Sequence, residues 1–294
     1  MFDLERWRAR FGWLDAILRV TERFGAIGGG PLASAIALAS FLSLFPLLLV
    51  GIAVVGFWSS ADDGFALRLV RELGLRGTAA ETVVDAIEAA KGSRRAASII
   101  GLAGLLWSGL GVVGSLQAAL NAVWQAKGRG LLDKLFALRW LLGAGTLFLT
   151  TAALGPVLRF VPGPAMPLTI LVGLALTTVL FLWTYTSLGN KNVAWRVHLP
   201  GALLVAVGVE GLKAVGSLYV PRLVASSSAL YGSLGVVFAV LALLLLYSRL
   251  IVYGAVINVV RYEAAIGTDT IQIEVPHVAG EVPATGTRGG AVET

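Results

Sequence analysis

The chain has 294 residues, 57% of them hydrophobic and only 14% charged, with a formal net charge of +6 and no cysteine. A soluble domain carries about a quarter charged residues, so this balance, with a mean hydropathy of +0.83, calls for lipid around the fold. The missing cysteines exclude disulfides, thiolate metal sites and cysteine nucleophiles. The basic excess is read as contact with membrane lipid headgroups and not with nucleic acid.

Residues 1–30 are expected to form an N-terminal interfacial segment. Trp7, Phe11, Leu14 and Leu18 fall at i, i+4, i+7 and i+11, one stripe of a helix, and Arg6, Arg8, Arg10, Arg19 and Arg23 occupy its other faces. Gly28-Gly29-Gly30-Pro31 ends it. The first apolar block starts only after about thirty residues and is too long for a signal-peptide core, so no cleavable signal is expected.

A first crossing is predicted from about Leu32 to Trp58, uncharged, with Ala35, Ala39 and Ser43 forming a small-residue face. Pro46 lacks an amide hydrogen and predicts a local kink. Residues 59–95 form the one long polar connection, external and amphipathic. Phe65, Leu69 and Leu73 make one stripe, and Thr78 with Glu81 a capping box, so two short helices are expected there, on the membrane surface or over the bundle.

The second apolar block lies between Arg95 and Lys127, with Gly111 and Ser115 spaced for close helix contact. Gln117 and Asn121, one turn apart, either bond to neighbouring helices or line a pathway. A third block fills Trp140–Leu158, Pro162-Gly163-Pro164 turns the chain, and a fourth runs from about Met166 to Leu188. The fifth, about Val197 to Val220, contains Glu210 and Lys213. The sixth, about Ser233 to Val260, contains Arg249 and Asn258. Ser226 to Gly235 is a hydroxyl-rich opening to that helix, suited to capping it or lining a wet cavity. Residues 31–262 are therefore read as an all-α transmembrane bundle of about six helices, and residues 263–294 as a disordered cytoplasmic tail.

Basic residues set the orientation. Arginines precede the first crossing, Lys127, Arg129, Lys134 and Arg139 fill the second connection, and Lys191 and Arg196 the fourth. Both termini are accordingly expected on the cytoplasmic side of a bacterial plasma membrane. Lys91, Arg94 and Arg95 in the external first connection run against that rule.

An ionisable side chain inside a membrane segment marks a functional site by default, because burying it costs at least ~2.5–3.5 kcal/mol on insertion scales. Glu210 sits ~20 Å into its helix at 1.5 Å per residue, with Lys213 one turn on. A Glu210–Lys213–Arg249 cluster, two cations against one acid, is the candidate site for an anionic headgroup; the alternative is a structural ion pair with Arg249 snorkelling to the surface. Gln117, Asn121 and Asn258 join the candidate pathway. Enzyme chemistry has little support. His198 and His277 are the sole histidines, and no HxxxH, paired-acid motif or Walker loop is present, so no metal and no cofactor is expected.

The chain resembles the YihY/BrkB family of bacterial inner-membrane proteins. The resemblance is carried in order by Phe41-Leu42-Ser43-Leu44-Phe45-Pro46-Leu47, by Leu120-Asn121-Ala122-Val123-Trp124 and by Leu199-Pro200-Gly201-Ala202 with Glu210, Lys213 and Ser217-Leu218-Tyr219. Tyr231-Gly232-Ser233-Leu234-Gly235 and Gly254-Ala255 with Asn258 complete it. The chain departs from the family pattern at Leu38 and Ala39, where tyrosines are common, at Val256, where an acid is common, and at Arg249. The resemblance implies a six-helix, envelope-integrity or virulence-associated protein, with export of an envelope lipid or amphiphile as the suggested activity. A non-transporting envelope scaffold is the alternative. The family's historical ribonuclease label fits poorly with the missing metal ligands. Small-residue faces suit packing within one bundle or in a homo-oligomer.

Overall fold

A computed structural model describes residues 12–61, 64–72, 78–158, 165–226 and 232–267. Trp7, Phe11, Leu73, the 162–164 turn, residues 227–231 and the tail with His277 lie outside the described residues, as do the side chains of Phe65, Leu69 and Thr78. The described helices are α1 (Gly12–Ala26), α2 (Gly29–Ala61), α3 (Phe65–Glu72), α4 (Thr78–Trp124), α5 (Leu131–Leu158), α6 (Ala165–Leu188), α7 (Trp195–Ser226) and α8 (Gly232–Ile266). No strand occurs among the described residues. The fold is an all-α polytopic membrane bundle.

Five stretches among the described residues are long and apolar enough to cross a membrane: Gly29–Phe57, Arg95–Trp124, Ile170–Leu188, Trp195–Gly216 and Val237–Ile266. Helix α5 has 28 residues and carries the uncharged block that begins at Trp140. In lipid a helix is favoured because it satisfies its own backbone groups, and long uncharged runs leave no other way to do so.

The most extensive helix pair is α2 with α4, which run antiparallel. Gly101 and Gly104 make the close approach: a Cβ on Gly101 would lie 3.0 Å from the Val50 amide nitrogen, and one on Gly104 3.0 Å from Pro46 Cβ. Helix α2 continues through Pro46 for its full 33 residues, with α4 packed against the proline.

The 59–95 connection differs from the two short helices expected. Helix α3 is the first of them, but the second is the opening third of α4, a single helix of 47 residues, ~70 Å long at 1.5 Å per residue. Between Glu81 and Arg95 there is no proline and a single glycine, Gly92, and charges mark where a helix leaves lipid without ending it.

The main core gathers at one end of the bundle. Ala33 and Ile36 of α2, Val113 to Trp124 of α4, Tyr185 and Leu188 of α6, Ala202 and Val205 of α7 and Val252 to Val259 of α8 form one buried cluster. The connections carrying Lys127, Arg129 and Lys191 meet there, so it is called the basic end below. Gly28, in the left-handed region at φ +68°, turns α1 into α2 there, a conformation that costs glycine little. One face of α1 packs on the bundle: Phe24 stacks on Tyr253 of α8, ring centroids 4.0 Å apart.

Candidate functional site

Glu210 and Lys213 project from α7 one turn apart, and the Lys213 ammonium donates to Glu210 Oε1 at 2.7 Å. The Lys213 side chain is 58% exposed and that of Glu210 20%, so the lysine reaches outward from a carboxylate held against the protein. The carboxylate occupies space that α6 leaves free at Gly173, where a Cβ would stand 2.8 Å from Glu210 Oε1. Gly173 and Glu210 each lie about 23 Å along their helices from the basic-end termini Leu188 and Trp195, at 1.5 Å per residue.

Lys213 forms part of the wall of a pocket of about 140 Å³ between α5, α6 and α7. Ala144 and Leu147 of α5 and Gly173, Leu176, Thr177 and Leu180 of α6 form the rest. Gly173, Thr177 and Leu180 share a stripe at i, i+4 and i+7. That stripe continues to buried Thr184, whose hydroxyl oxygen accepts Trp140 Nε1–H at 3.0 Å. Thr178, Thr184 and Thr186 each donate to a carbonyl four residues back. Thr177 makes no such bond among the described residues, which leaves its hydroxyl for the pocket. The pocket is therefore apolar along its sides, with one ammonium and one hydroxyl at its edge.

Arg249 does not join this pair. It is exposed on α8, on the same stripe as Tyr253 four residues on, which is the side that stacks on Phe24 of α1. Among the described residues it makes no ion pair or hydrogen bond. The expected three-charge cluster is a two-charge pair.

Gln117, Asn121 and Asn258 all lie at the basic end, away from the pair. Gln117 donates to the Asp133 carbonyl at 3.0 Å, and Asn121 Oδ1 accepts the Asn190 amide at 3.3 Å. Asn258 Oδ1 accepts the Gly201 amide at 2.7 Å. Each ties one helix to the next connection or to a neighbour, as the hydrogen-bonding reading expects.

His198, considered from sequence only as a metal ligand, is 1% exposed. It packs between Trp124, at 5.5 Å between ring centroids, and Tyr185, at 6.2 Å. Among the described residues neither ring nitrogen is hydrogen-bonded, and no group of three or more His, Cys, Asp or Glu is placed to hold a metal. Arg23 of α1 is buried beside them. It donates to the Val123 carbonyl at 3.3 Å, near the C-terminus of α4, and stands 3.7 Å from Glu263 of α8. Burial lowers the pKa of its guanidinium, and the Glu263 carboxylate opposes that shift. Gly173 and Thr177 were also missed from sequence, where a glycine and a threonine in an apolar block carry no distinguishing signal.

Long apolar helices around a charged pair at membrane depth define an α-helical, multi-pass membrane protein. The profile of the family described as Virulence factor BrkB matches residues 20–275, and the chain belongs to that family. It is 29% identical to an uncharacterized protein of Dickeya dadantii (strain 3937), over 84% of this chain and 87% of the relative. It is 28% identical to Inner membrane protein YhjD of Escherichia coli (strain K12), over 81% of this chain and 78% of that one. A UPF0761 membrane protein of Nitrosospira multiformis is 29% identical over 83% of this chain and 60% of its own length. No solved structure gives a significant match.

Proposed function

We propose that this protein binds and moves an envelope lipid or related amphiphile, with the Glu210–Lys213 pair receiving the headgroup. The observation that carries the proposal is an ion pair at membrane depth whose lysine opens onto an apolar pocket. Ionisable side chains within membrane segments that face a cavity mark substrate and ion paths. On this reading the chain sits in the bacterial inner membrane with both termini cytoplasmic and acts without a metal or cofactor. The basic residues gathered at one end support the orientation, and the printed name of the E. coli relative supports the location.

The test is movement of a fluorescent phospholipid between leaflets of proteoliposomes containing the purified chain. The unmutated protein is expected to accelerate it, and Glu210→Gln to abolish the acceleration without lowering the melting temperature. A second reading, a non-transporting envelope scaffold, draws on the part of α4 that continues beyond its apolar span, from Thr78 to residue 94. That reading predicts no flux in the unmutated protein and a lower melting temperature in Glu210→Gln.

A further inference from the structure

We infer that the pocket between α5, α6 and α7 selects a zwitterionic phospholipid headgroup, one bearing a phosphate and an ammonium, over an anionic one. This rests on the headgroup reading of the Glu210–Lys213 site and adds a charge preference to it.

The charge count comes first. With Arg249 on another side of α8, the pocket edge presents the Lys213 ammonium, and its counter-charge is the Glu210 carboxylate, 2.7 Å away and next to the lining residue Gly173. A lone anionic headgroup brought against this neutral pair leaves one uncompensated negative charge at membrane depth. Uncompensated charge there is costly, and the weak dielectric screening makes the cost larger than at a surface. A phosphate and an ammonium laid antiparallel to the pair leave no net charge: the phosphate meets Lys213 and the ammonium meets Glu210.

The available atoms fit that arrangement. A lysine ammonium has three donors, and one is committed to Glu210 Oε1. The others face the pocket through the exposed part of the side chain. Glu210 keeps its second carboxylate oxygen, which has no hydrogen bond among the described residues, and the Thr177 hydroxyl adds a donor on the α6 wall.

Size narrows the occupant further. At about 140 Å³ the pocket is smaller than the ~300–1,000 Å³ sites that enclose a whole drug-sized ligand. It suits the polar end of a lipid, with the first methylenes against Leu147, Leu176 and Leu180 and the chains remaining in the bilayer.

The experiment loads the purified full chain from vesicles of equal parts phosphatidylethanolamine and phosphatidylglycerol, then identifies the retained lipid by native mass spectrometry. The unmutated protein is expected to retain phosphatidylethanolamine several-fold over phosphatidylglycerol. Glu210→Gln, which leaves the cation alone, is expected to invert the preference. Exchanging the charges, with Glu210→Lys and Lys213→Glu together, is expected to restore it. Equal retention of both lipids by the unmutated protein, or a preference for phosphatidylglycerol that Lys213→Met abolishes, overturns the zwitterion preference while leaving the headgroup site in place. Retention that none of these substitutions changes removes the headgroup site itself.

Discussion

Asn258 Oδ1 accepts the backbone amide hydrogen of Gly201 at 2.7 Å, across a close approach of α7 and α8. A Cβ on Gly201 would collide with the carbonyl oxygen of Gly254 and with the Asn258 amide. On the third side the Tyr185 hydroxyl donates to the Ile251 carbonyl at 2.8 Å. Helices α6, α7 and α8 are thus held at one level by two hydrogen bonds and two glycines. Pro200, which has no amide hydrogen, precedes this contact and frees a carbonyl of the preceding turn.

Replacing Asn258 with Leu is expected to remove the cross-helix bond and lower stability by about 1–2 kcal/mol, the range for hydrogen bonds between membrane helices in peptide systems. The melting temperature of the detergent-solubilised protein measures this. An unchanged value means that the bond adds nothing over its absence.

Gly201→Ala is expected to be worse than Asn258→Leu, because the added methyl meets backbone, which cannot rotate away. Overpacking of this kind costs about 1–3 kcal/mol or more. Gly211→Ala is the control: its Cβ would meet nothing within 4 Å, so it is expected to be neutral or to stabilise the helix by up to about 1 kcal/mol. Equal melting temperatures for the two variants contradict the packing account.

Gly173→Ala acts on the site and spares the fold. Its Cβ would stand 2.8 Å from Glu210 Oε1, the free end of a flexible side chain that moves aside readily. Lipid flux is therefore expected to fall toward the Glu210→Gln level while melting stays near that of the unmutated protein. Full flux in Gly173→Ala shows that the position of the carboxylate over α6 is immaterial.

Arg23 and Glu263 are expected to be coupled by about 0.5–3 kcal/mol in a double-mutant cycle, because both are largely buried, at 9% and 12% exposure. Arg23→Met also loses the bond to the Val123 carbonyl, so amides of α1 are expected to exchange faster with deuterium. A null coupling energy with unchanged α1 exchange removes Arg23 as the fastening of α1.

The helices were legible because uncharged runs of spanning length admit few other structures in lipid. The Glu210–Lys213 contact was legible too, since three residues along a helix is one turn. Arg249 was not, for its depth follows from sequence position while its direction depends on how α8 is rotated against α1 and α7. The continuity of α4 was obscured by Glu81, Asp85, Glu88 and Lys91, charges that suggest a connection. The scarcity of glycine and proline between Glu81 and Arg95 was the better signal. The space at Gly173 is a matter of two helices meeting, and no pattern within α6 announces it.

The unbroken length of α4 gives its crossing with α2 a mechanical meaning. Gly101 and Gly104 sit near the centre of the rod, with arms of about 35 Å on either side at 1.5 Å per residue. Trp124 ends one arm, packed against His198 and Tyr262, and Thr78 ends the other beyond the apolar span. A see-saw pivoting on those glycines would carry a tilt on one face of the membrane directly to the opposite face, with no intervening joint to absorb it.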